Sequence, residues 1–253
     1  MTKVVVCGAL GRMGMIIGRL VSESPALDLV GGVDIREGSF YGVPVVEAGK
    51  IGEYLDEVRP DVLIDFTVAS ASVENIKVAA SHGVALVVGT TGFSPEQREE
   101  IRTAIEGHVP AVISSNYSVG VNIFWKLIRE AARLLCEGYD VEVTEAHHRY
   151  KKDAPSGTAK TILEILDEEL GSRPHVYGRE GMKERENEIG VHVVRGGDIV
   201  GDHSVLFAGN YETIELSHRA YDRAVFASGA VRAAAWVQGK GPGIYSMDDV
   251  LGL

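Results

Sequence analysis

The first fourteen residues constrain the fold more than any other stretch of the chain. Val4-Val5-Val6-Cys7 is an almost unbroken apolar run, as a strand covered on both faces requires. Gly8-Ala9-Leu10-Gly11-Arg12-Met13-Gly14 follows at once and opens an amphipathic run from Arg12 to Val21. A strand, a turn spaced G-x-x-G-x-x-G and a helix make a variant of the dinucleotide fingerprint. Its glycines serve a tight turn, a close approach of backbone to pyrophosphate, and close packing of helix on strand. Phosphates are favoured at such a helix start by its exposed amides and its dipole, and Arg12 adds a cation there. A second strand, Leu27 to Val33, ends at Asp34, about 20 residues on, where the fingerprint places a carboxylate for a ribose hydroxyl pair.

Beyond this motif, short apolar runs alternate with helical patterns. Val62 to Phe66, Ala85 to Val88 and Ala111 to Ile113 read as strands, and Ser70 to Ser81 as a helix. Ser94-Pro95-Glu96-Gln97 reads as a helix start, with Ser at the N-cap, Pro next and Gln three residues after the cap. Strands alternating with helices predict an α/β domain with a Rossmann-like parallel sheet, in which ligands lie outside the carboxyl ends of the strands. Two polar turns fall at such ends, Gly89-Thr90-Thr91-Gly92 and Ser114-Ser115-Asn116-Tyr117. Both carry groups suited to a nicotinamide ring or its ribose.

The pattern changes near Asn116. Val121 to Cys136 and Thr158 to Leu170 are helical, and Asp140 to Glu145 alternates as a strand with one wet face. Val191 to Arg195 and Val205 to Ala208 read as antiparallel strands, with Gly209-Asn210 a turn before Thr213 to Ser217. Phe226 to Trp236 is Ala-rich and helical. The expected organisation is a dinucleotide-binding domain over 1–117 and a smaller α+β domain with a mixed or antiparallel sheet over 118–218, for substrate binding and oligomerisation. The C-terminal helical segment, 219–253, is expected to return to the first domain. The polar stretch Gly171 to Glu188 is expected to be a lid.

Composition narrows the function. With 45% hydrophobic residues the chain is too apolar for disorder and too polar for a polytopic membrane protein. No stretch approaches the roughly 20 apolar residues of a membrane span. The strand pattern begins at Lys3 and leaves no signal peptide, so a cytoplasmic protein is expected. A net charge of -11 argues against nucleic acid, which calls for surplus Lys and Arg. It also argues against an NAD-sensing regulator, which needs a basic face. Cys7 and Cys136 cannot form a disulfide framework or a four-cysteine metal site. Neither suits the exposed nucleophile of a semialdehyde dehydrogenase, since Cys7 ends a buried strand and Cys136 ends a helix.

The most informative segment is Glu145-Ala146-His147-His148-Arg149-Tyr150-Lys151-Lys152-Asp153-Ala154-Pro155-Ser156-Gly157-Thr158-Ala159. Ser156 is a candidate N-cap, which places the Gly157 and Thr158 amides at a helix start, a ready anion site. Lys151 and a neighbouring His add donors for a carboxylate, and His is the usual proton carrier near neutral pH. Adjacent histidines on a strand diverge and no third ligand has fitting spacing, so no metal is expected.

Taken together, Gly8 to Gly14, Gly89 to Gly92, Asn116-Tyr117-Ser118-Val119-Gly120-Val121-Asn122 and the Glu145 to Ala159 segment resemble the dihydrodipicolinate reductase family. Its members are also called 4-hydroxy-tetrahydrodipicolinate reductases, of the bacterial and plant lysine pathway. The likeness extends to Asp198-Ile199-Val200-Gly201 and Ser228-Gly229-Ala230-Val231-Arg232. The resemblance implies an oxidoreductase that transfers hydride from NADH or NADPH to ring C4 of a cyclic dicarboxylate, with loss of water. It implies that Gly8, Ala9, Leu10, Gly11, Arg12 and Met13 hold the pyrophosphate and Asp34 the adenosine ribose. Gly89, Thr90 and Thr91, with Ser114, Ser115, Asn116 and Tyr117, would line the nicotinamide side. His147 would be the general acid/base, Lys151 the proton donor, and His148, Gly157 and Thr158 the carboxylate-binding residues. A homotetramer built through the second domain's sheet is also implied. Some relatives carry Arg directly after the acidic residue to meet the 2′-phosphate of NADPH. Here Ile35 stands there and Arg36 follows, so NADH is expected to be preferred or both cofactors used.

Overall fold

The computed structural model describes residues 1–253. The chain divides into two compact units, Met1–Val119 with Arg223–Leu253, and Gly120–Asp222. No helix is long and apolar enough to cross a membrane.

The first unit begins with β1 (Thr2–Cys7), α1 (Arg12–Ser22) and β2 (Leu27–Asp34). Two short strands, β3 (Gly38–Phe40) and β4 (Val43–Glu47), and the helix α2 (Ile51–Val58) come next. The alternation then resumes with β5 (Val62–Asp65), α3 (Ala69–Ser81), β6 (Ala85–Val88), α4 (Pro95–Ile105) and β7 (Pro110–Ile113). The start of α4 is a capping box. Ser94 Oγ accepts the Gln97 N–H, and the Gln97 side chain accepts the Ser94 N–H at 2.9 Å.

The second unit holds most of α5 (Val119–Leu134), then β8 (Asp140–His147), α6 (Gly157–Leu170), β9 (His175–Tyr177), β10 (Ile189–Arg195), β11 (Gly201–Ala208) and β12 (Thr213–Ala220). Its sheet runs β12-β11-β8-β10-β9. Burial alternates strictly along β8 and β11, because α5 and α6 cover one face only. Phe124, Ile128, Ile162 and Leu166 pack there on Val141, Val143, Val191, Val205 and Phe207.

The expectation that Val191 to Arg195 belongs to an antiparallel set is corrected here. β11 is antiparallel to both β8 and β12, but β10 is parallel to β8 and β9. The reason is the α6 crossover, which returns the chain to the starting edge of the sheet, so that the next strands run the same way as β8. The expected lid also reads differently. His175–Tyr177 is a strand, and Arg179, Lys183, Arg185, Glu186 and Glu188 after it form ion pairs. Arg185 bonds Asp140 at 2.6 Å and the Val141 and Glu188 carbonyls, and Arg179 bonds Glu188 at 2.6 Å.

The chain completes the first unit with α7 (Ala224–Val237), β13 (Gly243–Tyr245) and α8 (Met247–Leu251). The finished sheet runs β13-β7-β6-β5-β1-β2-β4-β3, parallel throughout except for β3 against β4. Side chains of β1 alternate between two cores. Val4 and Val6 pack with α1, α7 and α8, whereas Val5 and Cys7 pack with α2, α3 and α4. Strand order reverses at β1, between β2 and β5, which is where a doubly wound sheet opens a crevice.

Helix α7 lies so close to the turn after β7 that a Cβ on Gly229 would stand 1.7 Å from the Tyr117 carbonyl oxygen. Backbone atoms cannot step aside as a flexible side chain would. Gly229→Ala is therefore expected to destabilise the protein by about 1–3 kcal/mol, as overpacking does. The urea midpoint should fall at unchanged slope. An unshifted midpoint would show that the contact is not tight.

Candidate active site

In the first unit, the carboxyl ends of β1, β2 and β5 surround a cavity of about 490 Å³. Gly8, Leu10, Gly11, Asp34, Phe66 and Thr67 are among its walls. Gly8 turns the chain at φ +75°, a conformation costly for any residue with a Cβ. A Cβ on Gly14 would lie 2.0 Å from the Gly8 carbonyl oxygen, so the turn and α1 fit together only with glycine there. Gly11 is the N-cap of α1 and no side chain caps that end. The helix start thus suits an anion.

Asp34 spans this turn. Its Oδ2 accepts the Leu10 N–H and its Oδ1 the Ile35 N–H, each at 2.8 Å. Ala9 contributes backbone only, since its methyl is buried in the core, and Met13 packs beside that core. Arg12 is exposed at the first position of α1.

The two polar turns are built differently from what their residue types imply. Gly89 is flush with the Phe66 ring, which a Cβ would meet at 2.2 Å. The buried Thr90 donates to Asp65 Oδ1 at 2.8 Å and accepts the Thr67 N–H at 3.0 Å. Thr91 and Ser115 are exposed. Ser114 Oγ donates to the Asn116 carbonyl, and Asn116 Oδ1 accepts the Ser118 N–H at 2.9 Å. Tyr117 is fully enclosed, with its hydroxyl on the Val88 and Val112 carbonyls, so its side chain serves the fold. Phe66, Thr67 and Asp65 were missed from sequence. Their signal was available, because they close the apolar run Val62 to Ile64 at the carboxyl end of a strand.

In the second unit, His147 ends β8 and its ring is buried. His147 Nδ1 lies 2.6 Å from Glu145 Oε2. Glu145 has no solvent exposure. It is forked by Arg195, with Nη1 to Oε2 and Nη2 to Oε1 both at 2.8 Å, and Oε1 accepts the Ser156 N–H at 2.9 Å. Burial would raise the Glu145 pKa, but His147, Arg195 and the Ser156 amide outweigh it and hold the carboxyl at about 2.

Ser156 caps α6 as expected, its Oγ accepting the Ala159 N–H at 3.2 Å. Gly157 and Thr158 form the first turn of that helix, Gly157 with open space where a Cβ would be. Lys151 pairs with Asp153 at 3.0 Å, and His148 is half-buried just after β8. His203 of β11 was not anticipated. Its ring stands edge-on to His147 with centroids 5.1 Å apart, and its Nε2 is 3.1 Å from Ser156 Oγ. Burial first, then the neighbouring His147, pushes its pKa down to about 3, so it stays neutral.

Comparison with known proteins covers both units. The family model described as dihydrodipicolinate reductase, N-terminus, matches residues 2–117, and that described as its C-terminus matches 120–251. The 4-hydroxy-tetrahydrodipicolinate reductase of Methanoculleus marisnigri is 75% identical over 253 residues, the full length of both chains. That of Methanoregula boonei is 71% identical, over 100% of this chain and 99% of the other. Among solved structures, the dipicolinate-bound dihydrodipicolinate reductase from Paenisporosarcina sp. TG-14 superposes with a TM-score of 0.82 at 26% identity, over 97% of each chain.

The buried pair of titrating groups sets an acid limit on stability. Glu145 binds its proton less readily folded than at its ordinary 4.5, so its contribution is present above that value and lost as pH falls toward about 2. His203, held at about 3 against an ordinary 6.5, refuses a proton that the unfolded chain accepts. Its contribution therefore declines as pH falls from about 6.5 to about 3. Urea midpoints should drop across both windows, and His203→Gln should flatten the decline between 6.5 and 4.5. Equal slopes for wild type and variant in that interval would discount His203.

Proposed function

The chain belongs to the dihydrodipicolinate reductase family, and from that premise we propose that it reduces 4-hydroxy-tetrahydrodipicolinate to tetrahydrodipicolinate in diaminopimelate and lysine biosynthesis. The reading is carried by one short segment, residues 147–158. It combines a histidine oriented by a buried carboxylate, a lysine, and a capped helix start that favours anions. A cyclic dicarboxylate that must gain a proton as it loses water needs those three elements.

The first unit is assigned to the nicotinamide cofactor. The residues fit it: a glycine cradle, an uncapped helix start and a carboxylate at the cavity wall. When bound, the reduced nicotinamide supplies the hydride. The backbone from Gly8 to Met13 holds the pyrophosphate, and Asp34 holds the adenosine ribose. Gly89 to Thr91 and Ser114 to Tyr117 border the nicotinamide side, with Tyr117 acting through its backbone.

In the second unit, Gly157 and Thr158 bind a substrate carboxylate through the first turn of α6, and His148 adds a polar contact. His147 acts as general acid/base and the Lys151 ammonium as proton donor. The sum balances, with one hydride and one proton entering and one water leaving. Thiol chemistry at Cys7 is disfavoured, because burial raises its thiol well above its ordinary pKa.

Asp34 lines the cavity in a pose fixed by two amides, and its charge would repel a 2′-phosphate. NADH is therefore preferred or both cofactors serve, with Arg36 the cation nearest in sequence for a phosphate. The assembly is a homotetramer formed through the uncovered face of the second unit's sheet. That face presents Thr144, Ala146, Asp202, Ser204 and Ser217 around an open hollow of about 500 Å³.

The direct test is NADH oxidation with the condensation product of pyruvate and aspartate semialdehyde. Turnover is expected. NADH binding without turnover would point to a sensor instead. Lys151→Ala and His147→Ala should each lower kcat by roughly 10²–10⁴-fold while the fold survives, and a loss of two- or three-fold would remove that residue from the chemistry. A preference of tenfold or more for NADPH in kcat/KM, about 1.4 kcal/mol, would overturn the cofactor reading. Light scattering should give four times the mass of the chain.

A further inference from the structure

The hydrogen bonds of Glu145 reach His147 and the start of α6 directly, and the loop that carries Lys151 through Arg195. Glu145 and His147 sit two residues apart on β8 and share its covered face. The parallel register of β10 sets Val193 opposite Glu145 and Arg195 opposite His147. That register lets the Arg195 fork close on both carboxylate oxygens. Arg195 Nη2 also donates to the Asp153 carbonyl at 2.7 Å, and the Asp153 side chain pairs with Lys151. Glu145 Oε1 meanwhile takes the Ser156 N–H at the start of α6.

A carboxylate accepts hydrogen bonds and donates none, so a 2.6 Å contact to a neutral imidazole requires the proton on the imidazole Nδ1. The other nitrogen is then the basic one. Gly201 of β11 brings no side chain to it. A Cβ there would stand 3.1 Å from His147 Nε2.

We propose that Glu145 is the positioning residue of this site. Clamped by Arg195, it receives the His147 Nδ1–H, fixes the ring plane and tautomer, and presents Nε2 as the nitrogen for proton exchange. The inference rests on the reading of His147 as general acid/base, but its structural half, the tautomer, is measurable without turnover. Arg195 completes the device. A carboxylate buried without its counter-charge would take up a proton and become a donor, and the tautomer would no longer be specified.

The test combines ¹⁵N NMR of the imidazole with steady-state kinetics on the intact protein. In the wild type, the His147 nitrogens should show Nδ1 protonated and Nε2 bare at a pH where the ring is neutral. In Glu145→Gln the two tautomers should mix. Its kcat should fall on the order of 10²-fold, with KM for NADH unchanged, because orientation of an acid–base group is lost rather than cofactor binding. Arg195→Lys, which keeps the charge and loses the fork, should fall between wild type and Glu145→Gln in both readouts.

A folded Glu145→Gln that keeps kcat within about threefold and an unmixed tautomer would overturn the proposal, being well inside the usual acid–base contribution. If that variant does not fold, the wild-type spectrum and Arg195→Lys decide. A wild-type ring protonated on Nε2, or an Arg195→Lys protein identical to wild type, also overturns it. Failure of the functional reading looks different: the wild type shows the Nδ1–H tautomer yet does not turn over the substrate.

Discussion

An ionised carboxylate with no solvent contact persists only where donors meet its oxygens, because an unmet charge in the interior is expelled or neutralised. Glu145 satisfies that condition with two prongs of Arg195, the His147 ring and the Ser156 amide. Each donor comes from a different part of the second unit: β10, the end of β8, and the start of α6. The parallel pairing of β10 with β8, which requires the α6 crossover, exists in a form that brings Arg195 to this carboxylate. The same crossover delivers the Ser156 N-cap. Sheet topology and site geometry are one arrangement described at two scales.

The first unit uses acidic side chains at strand ends in a related way. Asp65, at the end of β5, gathers Asn75 at 2.7 Å and the hydroxyls of Thr67 and Thr90 at 2.8 Å each. It thereby ties together the turns after β5 and β6 and the helix α3. Asp34, at the end of β2, ties down the turn after β1. Loops at the carboxyl ends of a parallel sheet have few backbone partners of their own. Carboxylates anchored on rigid strands supply them, and the walls of the cavity are fixed before any ligand arrives.

Much of this was legible in the residues. The β1–α1–β2 motif announces itself because periodicity changes from continuous apolar to helical across a glycine turn. The Ser94 and Ser156 caps are local chemistry and need no tertiary context. The strands β3 and β4 were not read, since short strands with Gly and Pro, such as Val43-Pro44-Val45, carry too few residues to show alternation. The short final strand β13 and helix α8 escaped for the same lack of pattern. Helix α2 was legible in the helical spacing of Ile51, Tyr54, Leu55 and Val58 and was passed over. The direction of β10 depends on which neighbour it joins, which no local pattern encodes. Alternation puts Glu145 on the face of Val141 and Val143, but nothing local shows that a carboxylate can be accommodated there. Its burial is decided by Arg195, 50 positions away. Tyr117 and Thr90 also serve the fold, which their residue types do not reveal, because their hydroxyls bond Val88, Val112 and Asp65.

The return of α7, β13 and α8 to the first unit has a consequence for how the chain is made. Ala227, Ala230, Ala233, Ala234 and Val237 form part of the layer covering Val4, Val6, Ile64 and Val87. Until those residues leave the ribosome, one side of the nascent sheet has α1 but lacks its second cover. The second unit, by contrast, is continuous in sequence and has all its strands and helices earlier. Synthesis from the N-terminus therefore finishes the inserted unit while the unit that began first still exposes apolar strand surface, which leaves the last thirty or so residues to close it.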